Sequence, residues 1–320
     1  MSDCARPDFR AVTRFSCFHN PTAMPLDEPK SDTENAESDE ESTIVPELTE
    51  KQREEVEERA AITALVVHEA IRHDGDEELQ RPISALAWSG LAAGLSMGFS
   101  FAVEALFRAY LPPQPWRPLI VNLGYPVGFL IVIVGRQQLF TENTLTAIIP
   151  LLAKRNLATL AAVLRLWTVV LIANLIGAHI FAWVVGNLPV FKPEVESALR
   201  ELAVESANVG FGVALLRGIF AGWLIAMVVW MLAATQNGHT MIIIILTYVV
   251  GLAGLTHVIA GSVEVLFLVA IGAKTWGSYA LGYLLPTLLG NIIGGVSLVS
   301  AVNHAQVVAG QHAQRAASRM

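Results

Sequence analysis

Charged residues are scarce in this sequence, and they are unevenly distributed. Only 15% of the 320 residues are charged, whereas about a quarter are charged in an average soluble domain. Most of the 28 acidic residues lie among the first 81 positions, and the remainder of the sequence has no basic stripe of the kind that binds nucleic acid. The lack of a basic stripe excludes a nucleic-acid-binding protein, and the scarcity of charged residues argues against a soluble domain.

Cysteines and enzyme motifs are also lacking. The two cysteines, Cys4 and Cys17, both lie near the N-terminus, so the sequence predicts neither a disulfide framework nor a metal site. It contains no Ser/His/Asp spacing typical of hydrolases and no glycine-rich phosphate loop. No basic region followed by an apolar one marks a cleavable signal peptide. We therefore expect neither an enzyme nor a protein with a bound cofactor.

Long apolar segments dominate the sequence instead. Hydrophobic residues make up 53% of the chain, and they form six segments that each reach the roughly 20 residues needed to cross a bilayer as a helix. These segments are residues 84–111, 122–155, 157–185, 208–235, 240–272 and 276–302. The sequence therefore predicts an all-α membrane protein with six transmembrane helices in the lipid bilayer.

Four regions are predicted along the chain. Residues 1–46 are acidic and contain several prolines, which predicts a disordered tail. Residues 47–80 predict a cytoplasmic amphipathic helix, residues 81–305 the transmembrane domain, and residues 306–320 a C-terminal tail. Within the transmembrane domain, residues 192–203 predict a polar loop. Lysines and arginines near the ends of the apolar segments favour both termini in the cytoplasm, and we place the protein in the cytoplasmic (inner) membrane.

The second apolar segment is interrupted by polar residues. It is broken at residues 135–138, which read Gly-Arg-Gln-Gln, and it resumes as Leu139-Phe140-Thr141. Non-helical backbone at membrane depth is tolerated only where protein buries it or where it lines a polar cavity, and such breaks mark substrate pathways in transporters. The break therefore predicts a transport pathway, to which Arg136 would add an anion-attracting charge.

A short motif recurs in the second half of the membrane region. Asn174 begins the sequence Asn-Leu-Ile-Gly, and Asn291 begins Asn-Ile-Ile-Gly 117 residues later. The same offset carries Leu139-Phe140-Thr141 onto Thr256-His257-Val258. A unit of three spans that occurs twice must insert in opposite orientations, which predicts an inverted repeat with interrupted helices 2 and 5 meeting near the midplane. Chance similarity between apolar segments is the alternative.

His257 is the residue most suited to chemistry in a pore. An ionisable group inside a membrane segment indicates a functional site, and imidazole exchanges a proton near neutral pH. It would attract an anion and protonate it, since a neutral acid crosses an apolar constriction more easily than a charge does. A neutral histidine bonded to backbone is the alternative. Thr141 offers a hydroxyl to the same site or bonds back to its own helix.

Several further residues are expected to shape the pathway. Leu139 and Phe140 are either packing residues or an apolar gate at the break. Asn174 and Asn291 are expected to hold the interrupted backbone in place.

The sequence resembles the formate/nitrite transporter family over about residues 84–304. The motifs that carry the resemblance are Gly128 through Leu139-Phe140-Thr141 with Asn143, residues 217–231 (RGIFAGWLIAMVVWM), residues 254–260 (GLTHVIA) and residues 289–295 (LGNIIGG).

The resemblance implies an aquaporin-like protomer of six helices, a homopentamer with one pore in each protomer, and no bound cofactor. It also implies passage of small monovalent anions of weak acids, such as formate and nitrite. The central pore histidine would be His257 and the second-helix threonine Thr141. The constrictions would involve Leu139, Phe140 and Tyr125, and Val250 stands where the family often has a further aromatic residue.

Departures from the family pattern leave other functions open. Gln138 stands where an acidic residue usually precedes Leu-Phe-Thr, Thr256 where an acid precedes the histidine, and Gly222 where the fourth helix has asparagine. A different register would put Gly261-Ser262 at the histidine position. A pore for neutral solutes or water, and a membrane scaffold whose acidic tail binds a partner, are the alternatives to an anion channel.

Overall fold

The computed structural model describes residues 49–50, 63–301 and 305–306, without the side chains of 298–301. The described part is helical throughout, as the apolar segments predict. The predicted acidic tail, residues 1–46, lies outside the described residues, and so does the predicted C-terminal tail apart from residue 306.

The helices follow one another with short connections. In chain order they are α1 (Ala64–Gln80), α2 (Ile83–Tyr110), α3 (Arg117–Val121), α4 (Pro126–Val134), α5 (Asn143–Thr146), α6 (Ile148–Lys154), α7 (Leu157–Asn187), α8 (Pro193–Ala207), α9 (Phe211–Ala234), α10 (His239–Leu252), α11 (Ala260–Ala270), α12 (Trp276–Tyr279) and α13 (Leu285–Ile293). A 3₁₀ turn, Asn122–Gly124, joins α3 to α4, and π-helical segments at Ala280–Leu284 and Gly294–Ala301 flank α13.

Five helical stretches in the described part are long and apolar enough to cross a membrane. They are Ile83–Tyr110, Arg117–Val134, Leu157–Asn187, Phe211–Ala234 and Trp276–Ser297. The predicted apolar segment 240–272 is divided between two shorter apolar helices, α10 and α11. The predicted segment 122–155 is divided as well, because α4 ends at Val134 and α5 begins only at Asn143. Leu139-Phe140-Thr141 is therefore part of the non-helical connection rather than the start of the next helix.

The prediction of a polar loop at residues 192–203 is wrong, because this stretch lies in helix α8. Pro193 occupies the first turn, where its missing N–H is not needed. Val195, Ala198, Leu199 and Ala203 are buried, and their spacing places them on one face of the helix. The acidic residues that suggested a loop occupy the opposite, solvated face.

Close helix packing is concentrated in two pairs, α2 with α7 and α9 with α13. A Cβ added to Gly94 of α2 would lie 2.1 Å from the backbone oxygen of Asn174 in α7. A Cβ added to Gly222 of α9 would lie 2.3 Å from the backbone oxygen of Asn291 in α13. Small residues allow such backbone approach in membranes. The spacing of Gly90, Gly94 and Gly98 on α2 predicts this kind of contact.

Helix α1 packs against the membrane helices through its apolar face. Val67 and Ile71 share a buried cluster with Leu145 and Ile149, which flank the connection between α5 and α6. The ammonium of Lys154 at the end of α6 lies 2.6 Å from a carboxylate oxygen of Asp76. Apolar burial and this ion pair together hold α1 against the second half of the interrupted segment.

Gly75 is the point where α1 comes closest to that segment, since a Cβ there would lie 2.0 Å from the backbone oxygen of Thr146. We expect Gly75→Val to weaken the docking of α1 by about 1–3 kcal/mol, because the added side chain forces the two backbones apart. Limited proteolysis in detergent should then cleave the region of α1 faster than in the wild type. The matched control is Asp74→Val at the adjacent exposed position. Equal resistance of both variants would contradict the expectation.

Candidate transport site

Two non-helical connections meet inside the helix bundle. One joins α4 to α5 and contains Thr141, and the other joins α10 to α11 and contains His257. The Thr141 hydroxyl oxygen lies 2.8 Å from Nε2 of His257, although the two residues are 116 positions apart. Both side chains are at most 1% exposed. The structure thus brings together the two residues predicted to handle a permeating anion.

Asn174 on α7 binds the first connection. Its amide oxygen accepts the backbone N–H of Phe140 (2.9 Å), and its amide nitrogen donates to the backbone oxygens of Gln138 (2.9 Å) and Gly90 (2.7 Å). Backbone groups that leave a helix inside a membrane need such partners, because water cannot supply them there. Asn174 therefore holds the non-helical backbone on both sides of Leu139.

Asn291 on α13 binds the second connection in the same way. Its amide oxygen accepts the N–H of Val258 (2.9 Å), and its amide nitrogen donates to the oxygens of Thr256 (3.0 Å) and Gly218 (2.9 Å). Val258 therefore holds the same position in the second connection as Phe140 does in the first. By the same comparison, His257 corresponds to Leu139. The constant offset of 117 aligned Phe140 with His257 instead, and that alignment is wrong by one residue, because the second connection is shifted by one position relative to its asparagine.

The bonds of His257 assign its tautomer. Nδ1 accepts the backbone N–H groups of Ile259 (3.3 Å) and Ala260 (3.1 Å), which belong to the first turn of α11. An acceptor nitrogen carries no proton, so the ring proton of this neutral state resides on Nε2 and points to Thr141. Phe129 packs edge-on against the imidazole at 5.0 Å between ring centroids. The ring is thus fixed in position with a single N–H facing Thr141.

A cavity of about 700 Å³ extends to His257 from one side of the bundle. Tyr125 lines this cavity, whereas Leu139, Phe140 and Val250 do not. These three side chains are at most 1% exposed. The predicted constriction residues are therefore divided between the cavity wall and the tightly packed interior.

The remaining predicted site residues lie outside the cavity lining. Gln138 and Asn143 are buried and contact each other, since the amide nitrogen of Asn143 donates to the side-chain oxygen of Gln138 at 3.1 Å. Asn174 and Asn291 are fully buried behind the connections. Arg136 is exposed, with a left-handed backbone (φ 53°), and the structure does not bring it to Thr141 and His257.

Tyr283 is a cavity residue that the sequence analysis missed. Its hydroxyl donates to the backbone oxygen of His257 at 3.2 Å. The hydroxyl occupies the space where a side chain at position 261 would begin, because a Cβ on Gly261 would lie only 1.6 Å away. The glycine at position 261 gives no sign in the sequence of the residue that fills the space beside it, because Tyr283 lies in a different helical segment.

A polar cavity extends into a helical bundle as far as a buried histidine, which lies in one of two non-helical connections that meet there. This arrangement is typical of a membrane transport protein. The profile described as "Formate/nitrite transporter" matches residues 65–305. The chain belongs to that family and is an integral membrane protein.

Relatives and solved structures agree with this membership. The chain is 41% identical to "Inner membrane protein YfdC" of Escherichia coli (strain K12), over 78% of this chain and 81% of the relative. It is 26% identical to "Formate channel BtFdhC" of Bacillus thuringiensis, over 73% of this chain and 91% of the relative. Among solved structures, "Pentameric formate channel with formate bound" shares 20% identity and the fold, with a TM-score of 0.59 over 74% of this chain and 99% of that one.

Proposed function

We propose that this protein passes a small monovalent weak-acid anion, such as formate or nitrite, across the cytoplasmic membrane. The observation that carries the proposal is the hydrogen bond between Thr141 and His257 at the inner end of the polar cavity. An anion that reaches this point replaces the threonine as the acceptor of the Nε2–H of His257, and the Thr141 hydroxyl turns to donate to it. Two neutral donors suit a small anion with two or three oxygens.

The architecture in this proposal is a six-helix protomer built from an inverted repeat of three spans. The matching hydrogen bonds of Asn174 and Asn291 support the repeat, as does the equivalence of the pairs α2–α7 and α9–α13. Helices 2 and 5 are the interrupted ones. The apolar outer surfaces face lipid or neighbouring subunits of a homopentamer, an assembly supported by the fold shared with the pentameric formate channel.

The orientation and the apolar gate complete the proposal. Both termini lie in the cytoplasm, and the cavity therefore opens on the outer side, opposite α1. Leu139 and Phe140 form the closed constriction next to Thr141, and they exclude hydrated ions because they leave no exposed surface. The protein acts as a channel or transporter rather than as an enzyme.

His257→Ala is the variant that tests the proposal. Loss of a hydrogen bond to an ionised substrate costs about 1.5–3 kcal/mol, so we expect uptake to fall about tenfold or more. The measurement is uptake of radiolabelled formate and nitrite into proteoliposomes, with and without a pH gradient, and Thr141→Val should show a smaller loss in the same assay.

The matched control is His179→Ala, because His179 also lies within a membrane helix but contacts Trp276 instead of Thr141. Unchanged uptake in His257→Ala would contradict the assignment of His257. Absence of uptake by the wild type, together with swelling of the vesicles in an uncharged solute, would indicate a neutral-solute pore instead.

A further inference from the structure

Two buried carboxyl groups face the cavity outside His257. Glu104 on α2 is 5% exposed and Glu264 on α11 is 8% exposed, and both side chains line the cavity. The hydroxyl of Ser206 donates to one oxygen of Glu264. Glu104 has no hydrogen-bond partner for its carboxyl group in the described part of the chain. Neither carboxyl group binds the non-helical connections, and the proposed roles of Thr141 and His257 do not require either of them.

The basic groups of the cavity do not neutralise this pair. Arg108 lies one turn after Glu104 but turns to the more exposed Glu201 and Glu205 on α8. Arg217 lines the cavity, and within the described residues it has no carboxylate oxygen within 4.0 Å. Arg117 donates to the backbone oxygen of Arg108. Within the described residues, no arginine of the cavity wall therefore forms an ion pair with Glu104 or Glu264.

Two unneutralised carboxylates in a membrane interior are costly, because each negative charge loses its water and repels the other. This cost is lower when at least one of the two carboxyl groups retains its proton. A protonated carboxyl group that faces a cavity is also a proton donor for anything that enters it.

An independent observation shows that this space can accept a polar ligand. The Tyr125 side chain is 6% exposed and lines the cavity, and its hydroxyl has no hydrogen-bond partner in the described part of the chain. Buried tyrosine hydroxyls usually have one. Tyr283 provides a second hydroxyl in the cavity, next to the backbone oxygen of His257. Carboxyl groups, hydroxyls and the imidazole therefore line the same cavity.

His257 cannot supply the proton in its observed state. Its neutral ring has one N–H, and transfer of that proton to an anion would leave a negatively charged imidazolate. A weak-acid anion that is to cross the apolar residues Leu139 and Phe140 as a neutral acid therefore needs another donor.

We propose that Glu104 and Glu264 form this donor, a carboxyl pair that protonates the permeating anion in the outer cavity before it enters the apolar constriction at Leu139 and Phe140. In the transfer, the O–H bond of the carboxyl group breaks, a new O–H bond forms on the anion, and the negative charge of the anion passes to the pair. The pair, which carried one negative charge, is left with two until a proton from the outer solution restores it. His257 and Thr141 bind the substrate at the inner end of the cavity, as the anion before the transfer and as the neutral acid after it. The inference rests on the proposed transport of weak acids.

Other titratable groups lie in the same part of the structure. On the cavity wall they are Arg108, Arg117, Tyr125, Glu205, Arg217, His257 and Tyr283, and beside α11 they are His179, Lys274 and Tyr279. None of these groups is altered in the variants that test the pair.

The test uses Glu104→Gln, Glu264→Gln and the double variant in the proteoliposome assay, because glutamine keeps the shape of the side chain and removes its proton. We expect the double variant to take up formate about tenfold more slowly at about pH 8, where the anion predominates. At about pH 5 its uptake should approach that of the wild type, because bulk solution then supplies the protonated acid. Glu194→Gln, which removes an exposed negative charge on the same side, should leave both rates unchanged.

A folded double variant with the wild-type rate and pH profile would overturn the proposal. Infrared spectroscopy provides a second measurement, made on the wild type and on Glu142→Gln because a carboxyl oxygen of Glu142 is also buried. A protonated-carboxyl band that remains in Glu142→Gln and shifts when formate is added supports the pair, and absence of any such band from the wild type at neutral pH overturns it even if the variants fail to fold. If the wild type takes up neither anion, the proposed transport is wrong, and the infrared result still decides whether the pair holds a proton.

Discussion

Asn291→Leu should lower the apparent melting temperature of the protein by on the order of 10 °C. Leucine has nearly the same size but cannot bond the N–H of Val258 or the backbone oxygen of Thr256, which lie in the non-helical connection. Each buried backbone group without a partner costs about 1–3 kcal/mol, so the two together cost about 2–6 kcal/mol. For a chain of this size about 1 kcal/mol corresponds to about 2–4 °C.

The measurement is thermal unfolding in detergent, followed by intrinsic fluorescence. Asn187→Leu is the matched control, because Asn187 is exposed and donates to Trp183 on its own helix, with only a long bond of 3.4 Å to Ala270 at the end of α11. Asn174→Leu should behave like Asn291→Leu, since it releases the N–H of Phe140 and the oxygen of Gln138. A melting temperature for Asn291→Leu within a degree or so of the control would contradict the structural role of the asparagine.

Gly222→Ala should destabilise the protein by about 1–3 kcal/mol or more, which is typical of an overpacked interior. A Cβ at this position would lie 2.3 Å from the oxygen and 2.7 Å from the Cα of Asn291. Both atoms belong to the backbone, so no side chain can rotate away to make room. The helices α9 and α13 must separate, which moves Asn291 and with it the connection that carries His257. We therefore expect reduced transport in addition to reduced stability.

Gly282→Ala is the control for this variant, because a Cβ there would meet no atom within 4 Å. It should melt close to the wild type and keep its transport rate. Gly222→Asn, which introduces the residue that the family usually has at this position, should be worse than alanine. Wild-type stability and uptake in Gly222→Ala would mean that α9 and α13 are farther apart than in this structure.

Much of the membrane region could be predicted from the sequence, because lipid imposes simple rules. Apolar segments of sufficient length must form helices that satisfy their own backbone, and the polar break at residues 135–138 correctly located the end of α4. The motif spacing also indicated that Thr141 and His257 meet. The helix α8 was missed, because several acidic residues in a short segment resemble a loop unless the apolar residues at positions 195, 198, 199 and 203 are considered together.

The sequence by itself determined the helical class, the family and the pair Thr141 and His257, because each depends on local composition or on short motifs. Only the tertiary structure decided what surrounds them. Tyr283 fills the space left by Gly261 from a different helix, and Glu104 and Glu264 reach one cavity from positions 160 residues apart. Such contacts are set by the three-dimensional packing of helices, and no local pattern in a single sequence records which distant side chains will share a cavity.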